Sequence, residues 1–288
     1  DDGTAIHGLL ENGTCETIPF LPSPCVEVLA PPQEEPHSEN LGTADLSADG
    51  RLAAVVDENQ TRVWDFLTGR CVGRIGKPVG QWASARFSPD GGRLLTCGWA
   101  NALEERPVTR EEDGRIHLEE PRVLMAAAGN LLRDVSADGE RLVLSNNGTG
   151  HFIVTDPAWR KPLMLPHAGT LATSISPDGR WLVTSSYQQA GARVWSIPDG
   201  KPVAHLLRHE TVIQTQALGA GRLLLRTSAG ARVFLTDTWL EDRALELAPP
   251  VNSLTCSRDG RLLAVQADNE IRVLRASDLT EIHRLSPP

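Results

Sequence analysis

The chain has 288 residues, 40% hydrophobic and 23% charged, with 37 acidic against 28 basic side chains and a formal charge of −9. That composition can bury a core and excludes a disordered chain, no run of 18 apolar residues offers a membrane span, and the negative balance has the wrong sign for holding phosphates. The 25 glycines and 20 prolines suit many short strands and turns better than long helices.

Along the chain one tag recurs, Ser-x-Asp-Gly with an Arg close behind and an apolar run after it. A weak copy, Asp2-Gly3, comes first, followed by residues 19–40, whose Pro19, Pro22, Pro24, Pro31, Pro32 and Pro36 read as an extended loop between strands. Ser47-Ala48-Asp49-Gly50-Arg51 leads into a third-strand segment Arg62-Val63-Trp64-Asp65 and a fourth after Thr68-Gly69-Arg70. Ser88-Pro89-Asp90-Gly91 precedes a charged stretch, 99–114, which reads as an insertion between the second and third strands of its period. Ser136-Ala137-Asp138-Gly139 and Ser176-Pro177-Asp178-Gly179-Arg180 come next, the latter with Arg193-Val194-Trp195 as third strand. Ala220-Gly221-Arg222, without the Asp, serves Arg232-Val233-Phe234, and Ser257-Arg258-Asp259-Gly260-Arg261 serves Arg272-Val273-Leu274. Successive tags lie 39 to 48 residues apart. Each predicts a hairpin turn in which Asp bonds local backbone and Gly takes positive φ, so every period holds four strands. Seven copies at one spacing argue against the alternative, a β-sandwich.

The order strand, Ser-Pro-Asp-Gly-Arg, strand, Arg-Val-Trp-Asp, Thr-Gly-Arg resembles the WD-repeat family of β-propellers over nearly the whole chain. The resemblance implies one all-β domain over 1–288, a seven-bladed propeller of four-stranded antiparallel blades, each stabilised by its neighbours. The first blade starts at its Asp2-Gly3 turn and lacks its innermost strand, so the expectation is that the native polypeptide continues upstream and supplies a strand pairing with residues 4–10. The family fastens its blades with a buried His, Ser/Thr, Asp and Trp. Here His37, Asp57 and Trp64 match in one blade, His167 and Trp195 in another with Ser185 or Ser186 as the hydroxyl, and His209 alone in a third, with Thr227 nearby. All are expected to be structural.

Enzyme signatures are absent: there is no Gly-x-Ser-x-Gly elbow, no phosphate loop, and no cysteine with a His at a telling position. His205 and His209 are too far apart along a strand to share a metal, and the acidic runs within 104–120 are interleaved with arginines. No cofactor or metal is expected. Five scattered cysteines without a CxxC pair favour reduced thiols in a cytoplasmic setting. The expected function is protein binding, to a partner or to another domain of the same polypeptide, with no nucleic acid and no membrane insertion. The candidate contacts are Trp82, Trp99, Arg106, Arg110 and Tyr187, with Asn59, Gln188 and Asn269, on the face carrying the insertion and the turns at Asp57, Tyr187 and Asp268. Trp159 and Trp239, on the opposite face, are expected to cover blade edges. Arginine outnumbers lysine 25 to 3, and the degraded repeats resemble bacterial WD-repeat proteins, in which the propeller often serves a serine/threonine kinase as sensory or docking module. The competing class is a propeller enzyme, a hydrolase or lyase with its site at the channel mouth.

Overall fold

The computed structural model describes residues 5–9, 15–19, 27–29, 41–57, 60–76, 83–98, 101–112, 115–126, 130–146, 151–155, 162–219, 221–245, 251–257, 260–267 and 270–285. Their regular structure is all β. A three-stranded sheet holds β1 (Ala5–Leu9), β2 (Cys15–Pro19) and β3 (Glu27–Leu29). Four-stranded sheets in chain order follow: β4 (Leu41–Leu46), β5 (Leu52–Asp57), β6 (Gln60–Asp65) and β7 (Arg70–Gly76), then, after an enlarged sheet, four more. The enlarged one holds β8 (Ala83–Phe87), β9 (Arg93–Gly98), β10 (Asn101–Arg110), β11 (Ile116–Leu118) and β12 (Arg122–Met125). The remaining strands are β13 (Asn130–Val135), β14 (Leu142–Asn146), β15 (His151–Thr155) and β16 (Leu163–Pro166); β17 (Thr170–Ile175), β18 (Trp181–Ser186), β19 (Ala192–Ser196) and β20 (Pro202–Leu206); β21 (Val212–Leu218), β22 (Arg222–Thr227), β23 (Gly230–Leu235) and β24 (Glu241–Leu245); and β25 (Val251–Cys256), β26 (Leu262–Ala267), β27 (Glu270–Arg275) and β28 (Glu281–Leu285).

Antiparallel four-stranded blades are thus present, but the expected seven of them are not reproduced. Among the described residues, five sheets have four strands, one has three and one has five. The proline-rich stretch 19–40, expected to be loop, contains strand β3.

The tags fold as their chemistry dictates, with one contribution the residue types alone did not reveal. Asp49, Asp90, Asp138 and Asp178 each accept the backbone N–H two residues on, at 3.0–3.1 Å, and the following Gly50, Gly91, Gly139 and Gly179 sit at φ +65° to +72°. The serine completes the turn. Ser47 Oγ donates to Asp49 at 2.6 Å and accepts Leu52 N–H at 2.8 Å, and Ser176 does the same with Asp178 at 2.7 Å and Trp181 N–H at 3.0 Å.

The chain divides into two compact units, residues 1–135 and 136–288. In the first, Leu52, Ala54, Val56 and Val63 of one sheet pack against Ala83, Ala85, Phe87 and Leu94 of the next. The alternate residues Ala53, Val55 and Trp64 line the opposite face with Phe66, the period-2 alternation of a sheet buried on both sides. The second unit repeats the plan. Leu223 and Leu225 of β22 join Val183 and Val194 of the preceding sheet, while Leu224 faces Leu263 and Val265 of the following one. Each fully buried leucine or valine contributes about 1.5–3 kcal/mol. Inner strands of adjacent sheets are latched by side chains one repeat apart: Thr43 and Asp45 accept Ala85 and Phe87 N–H at 3.2 and 2.7 Å, Ser174 accepts Ala217 N–H at 2.8 Å, and Gln214 accepts Leu254 N–H at 3.1 Å.

The charged stretch 99–114 corrects its reading as an insertion between the second and third strands. Most of it is β10, which pairs with β9 and β12 in its first half and, running past the sheet, with β11 in its second. The extra residues therefore lie between the third and fourth strands, at the end of the blade that carries the tags. Charge is tolerated inside the sheet because it is paired: buried Glu105 sits between Arg93 at 3.2 Å and Arg122 at 3.0 Å, and Glu104 meets Arg106 at 3.1 Å. The projecting hairpin lies back on the neighbouring blade, burying Ile116 and resting Leu118 on Gly73, where a Cβ would come within 2.4 Å of Leu118 Cδ1. Arg110 closes the contact on the Asp49 carboxylate. Burial alone would raise the Asp49 pKa, but the Ser47 hydroxyl, Arg110 and the Arg51 amide outweigh it and hold it at about 2. Gly73→Val is expected to displace this hairpin, destabilising the first unit by about 1–3 kcal/mol and accelerating trypsin cleavage after Arg110 or Arg115, measured by peptide mass; an unchanged cleavage rate would disprove the clasp.

Candidate protein-interaction surface

The sheet β17–β20 holds the best-formed blade fastener among the described residues. His167 (1% exposed) and Trp195 (4%) converge on Thr184, which is fully buried: Trp195 Nε1–H donates to Thr184 Oγ1 at 2.8 Å, and the same hydroxyl shares a 2.8 Å hydrogen bond with His167 Nδ1. His167 and Trp195 are structural, as expected, but the hydroxyl is Thr184 rather than Ser185 or Ser186. Ser185 points the other way and accepts Ala172 N–H at 3.1 Å. Ser186 caps the next turn, accepting Gln188 and Gln189 N–H at 2.9 and 3.2 Å, the work an Asp would do there. Burial first, and then nearby Arg193 and His205, lower the His167 pKa to about 4, so the imidazole is neutral at pH 7.

Elsewhere the fastener is replaced. Trp64 is buried, and its neighbour Asp65 is clamped by Arg51 through two bonds of 3.2 and 2.8 Å. His37 and the Asp57 side chain lie outside the described residues. His209, expected in a blade network, is exposed instead. Its neighbour Glu210 turns inward, accepting from Thr227 Oγ1 at 3.0 Å and pairing with Arg232 at 2.6 Å, so a carboxylate rather than His209 meets the Thr227 hydroxyl.

Of the candidate contact residues, Trp82, Trp99, Asn59 and Asn269 lie outside the described residues. Arg106 is half-buried in its ion pair with Glu104, and Arg110 belongs to the hairpin clasp at the opposite end of its blade from the expected face. Tyr187 and Gln188 are exposed, Tyr187 to 65%, in the 187–191 turn. Trp239 covers a blade edge as expected, its ring edge-on to Trp181 at 5.4 Å; Trp159 lies outside the described residues.

The Tyr187 turn is rigidly joined to the 205–210 connection. Gly191 N–H donates to Glu210 O at 2.7 Å, and His205 Nε2 lies 3.1 Å from Ala190 O. Gly191 has φ +84°, and a Cβ there would meet the Leu206 carbonyl oxygen at 2.6 Å, so only glycine allows the two segments to touch. Leu207 is held at φ +49°, a left-handed conformation costing a leucine about 1–2 kcal/mol, and Glu210 N–H closes that turn on Leu207 O at 2.9 Å. The strained turn presents Arg208 and His209 to solvent, with Arg208 on the His205 carbonyl. Sequence reading missed Arg193, His205 and Arg208 as a group because their nearness depends on the β19–β20 register, which sets Arg193 opposite His205.

No family model matches the chain. It is similar to the WD repeat-containing protein SL1-17 of Schistosoma mansoni, 29% identical over 178 residues that make up 59% of this chain and 55% of the relative. The chain thus spans about half the length of that curated relative.

Proposed function

We infer that this chain, whose blades are those of the WD-repeat β-propellers, works as a protein-interaction scaffold. Its sheets are sealed on both faces by aliphatic side chains, and its histidine–threonine–tryptophan cluster is consumed in holding a blade together. The observation that carries the reading is the exposed Tyr187 on a turn fixed by backbone hydrogen bonds and a glycine, since a rigid exposed aromatic loses little entropy when a partner covers it. A finer version, in which the scaffold is the docking module of a serine/threonine kinase polypeptide, is supported by the character of the repeats and tested by finding the kinase domain in the same gene.

Tyr187→Ala is expected to leave the fold intact and to remove at least one partner from an affinity capture made with the native protein in its own lysate. An identical partner set from both proteins would overturn the assignment of this surface.

A further inference from the structure

Cations at the two ends of the second unit are treated differently. At the tag end the described pairs include Arg141 with Asp138 at 3.4 Å, Arg180 with Asp178 at 2.6 Å, Lys201 with Asp199 at 3.0 Å, Arg222 with Asp242 at 3.3 Å, and Arg275 with Asp278 at 3.0 Å. At the loop end, Arg232 and Arg284 also have carboxylates, Glu210 and Glu270. Around Tyr187 the pattern breaks. Arg193 is held by neutral groups, Gln189 Oε1 at 2.6 Å and Pro166 O at 3.4 Å, with its guanidinium 6.0 Å from the Trp195 ring, and Arg208 rests on the His205 carbonyl at 3.3 Å. Among the described residues neither is paired with a carboxylate. Glu210, in the same connection as Arg208, is already divided between Arg232 and Thr227. The local field is therefore positive on a chain whose net charge is −9, and the low His167 pKa, to which Arg193 and His205 contribute, registers that field inside the blade.

We propose that the surface formed by Tyr187, Arg193, His205 and Arg208 docks an acidic segment of a partner protein, its carboxylates on the two guanidiniums and its backbone or an apolar side chain against the tyrosine ring. The proposal rests on the scaffold reading above and adds the partner's chemistry. A half-buried guanidinium on β19 and an exposed one in the turn after β20 fit a short carboxylate-bearing peptide. A long polyanion would meet the repulsion of the surrounding negative chain. The strained, fixed turn at Leu207 places Arg208 without further ordering on binding.

The test uses a fluorescein-labelled twelve-residue peptide rich in Glu and Asp, its Gln/Asn counterpart, and a single-stranded oligonucleotide of equal charge, titrated with the whole chain and read by anisotropy at low salt. The acidic peptide is expected to bind about 10-fold or more tightly than the neutral one, and Arg208→Glu to weaken it by at least about 10-fold with an unchanged melting curve. Arg180→Ala, at the tag end, is expected to leave binding as it was. Equal affinity for the two peptides, insensitivity to Arg208→Glu, or equal or tighter binding of the oligonucleotide would each overturn the proposal. Loss of captured partners on Tyr187→Ala but not on Arg208→Glu would keep the scaffold and discard the acidic partner, whereas loss on neither would discard both.

Discussion

Trp195→Ala is expected to destabilise the second unit by about 3–5 kcal/mol, a large share of the roughly 5–15 kcal/mol that keeps a domain folded. The indole fills the space among Val143, Leu165, Ile175, Leu182 and Ile197, so its removal leaves a cavity bounded by side chains from four different strands of two sheets and from Ile197, just past the end of β19. It also strands the Thr184 hydroxyl. Thr184→Val, which keeps the shape, separates that polar share: it leaves the indole N–H and the His167 nitrogen without their common partner, at about 1–3 kcal/mol for each orphaned group. Trp195→Phe removes the N–H while keeping much of the bulk, so its loss and that of Thr184→Val should overlap. The double variant is expected to fall short of the sum by about 0.5–3 kcal/mol. Urea unfolding followed by circular dichroism measures all four proteins; strict additivity would mean that the 2.8 Å contact carries no energy.

What could be read from the residues was what short-range chemistry determines. Ser-x-Asp-Gly announces a turn because donors, acceptors and the positive φ all lie within five residues, and the four-strand period followed from its spacing. The fastener was half legible. His167 and Trp195 are distinctive residue types, but choosing among Thr184, Ser185 and Ser186 needs the register of β18, where a shift of one residue moves every side chain to the other face. Residues 101–110 were misread for a different reason. Glu105 and Arg110 look solvated until their partners are known, and those partners come from elsewhere, Arg93 and Arg122 from other strands and Asp49 from the tag turn of the neighbouring sheet. The same limit hid the basic surface: a count of charges over 288 residues is acidic, and only the pairing pattern separates neutralised arginines at the tag end from Arg193 and Arg208.

The blade fastener should also make the second unit sensitive to mild acid. His167 titrates near its ordinary value of 6.5 in the unfolded chain and at about 4 in the folded one, because burial first, and then Arg193 and His205, oppose its charging. Between those values the unfolded state takes up a proton that the folded state refuses, so stability is fully present above pH 6.5 and is lost as the pH falls toward 4. At about 1.4 kcal/mol per pH unit the loss amounts to about 3 kcal/mol. Carboxylates held low act in a separate window. Asp278, lowered chiefly by the Thr280 hydroxyl, and Glu281, lowered chiefly by Arg284, lie at about 2 against ordinary values of 3.8 and 4.5, so their contributions are retained until the pH drops below about 4.5. A melting temperature that declines between pH 7 and pH 5 is therefore assigned to histidine. His167→Asn is expected to be less stable at pH 7, having lost the imidazole's packing, yet nearly flat from pH 7 to pH 5. A variant whose melting temperature fell as steeply as the parent's over that interval would show that the proton is taken up elsewhere and that His167 is not the acid-sensitive point of the blade.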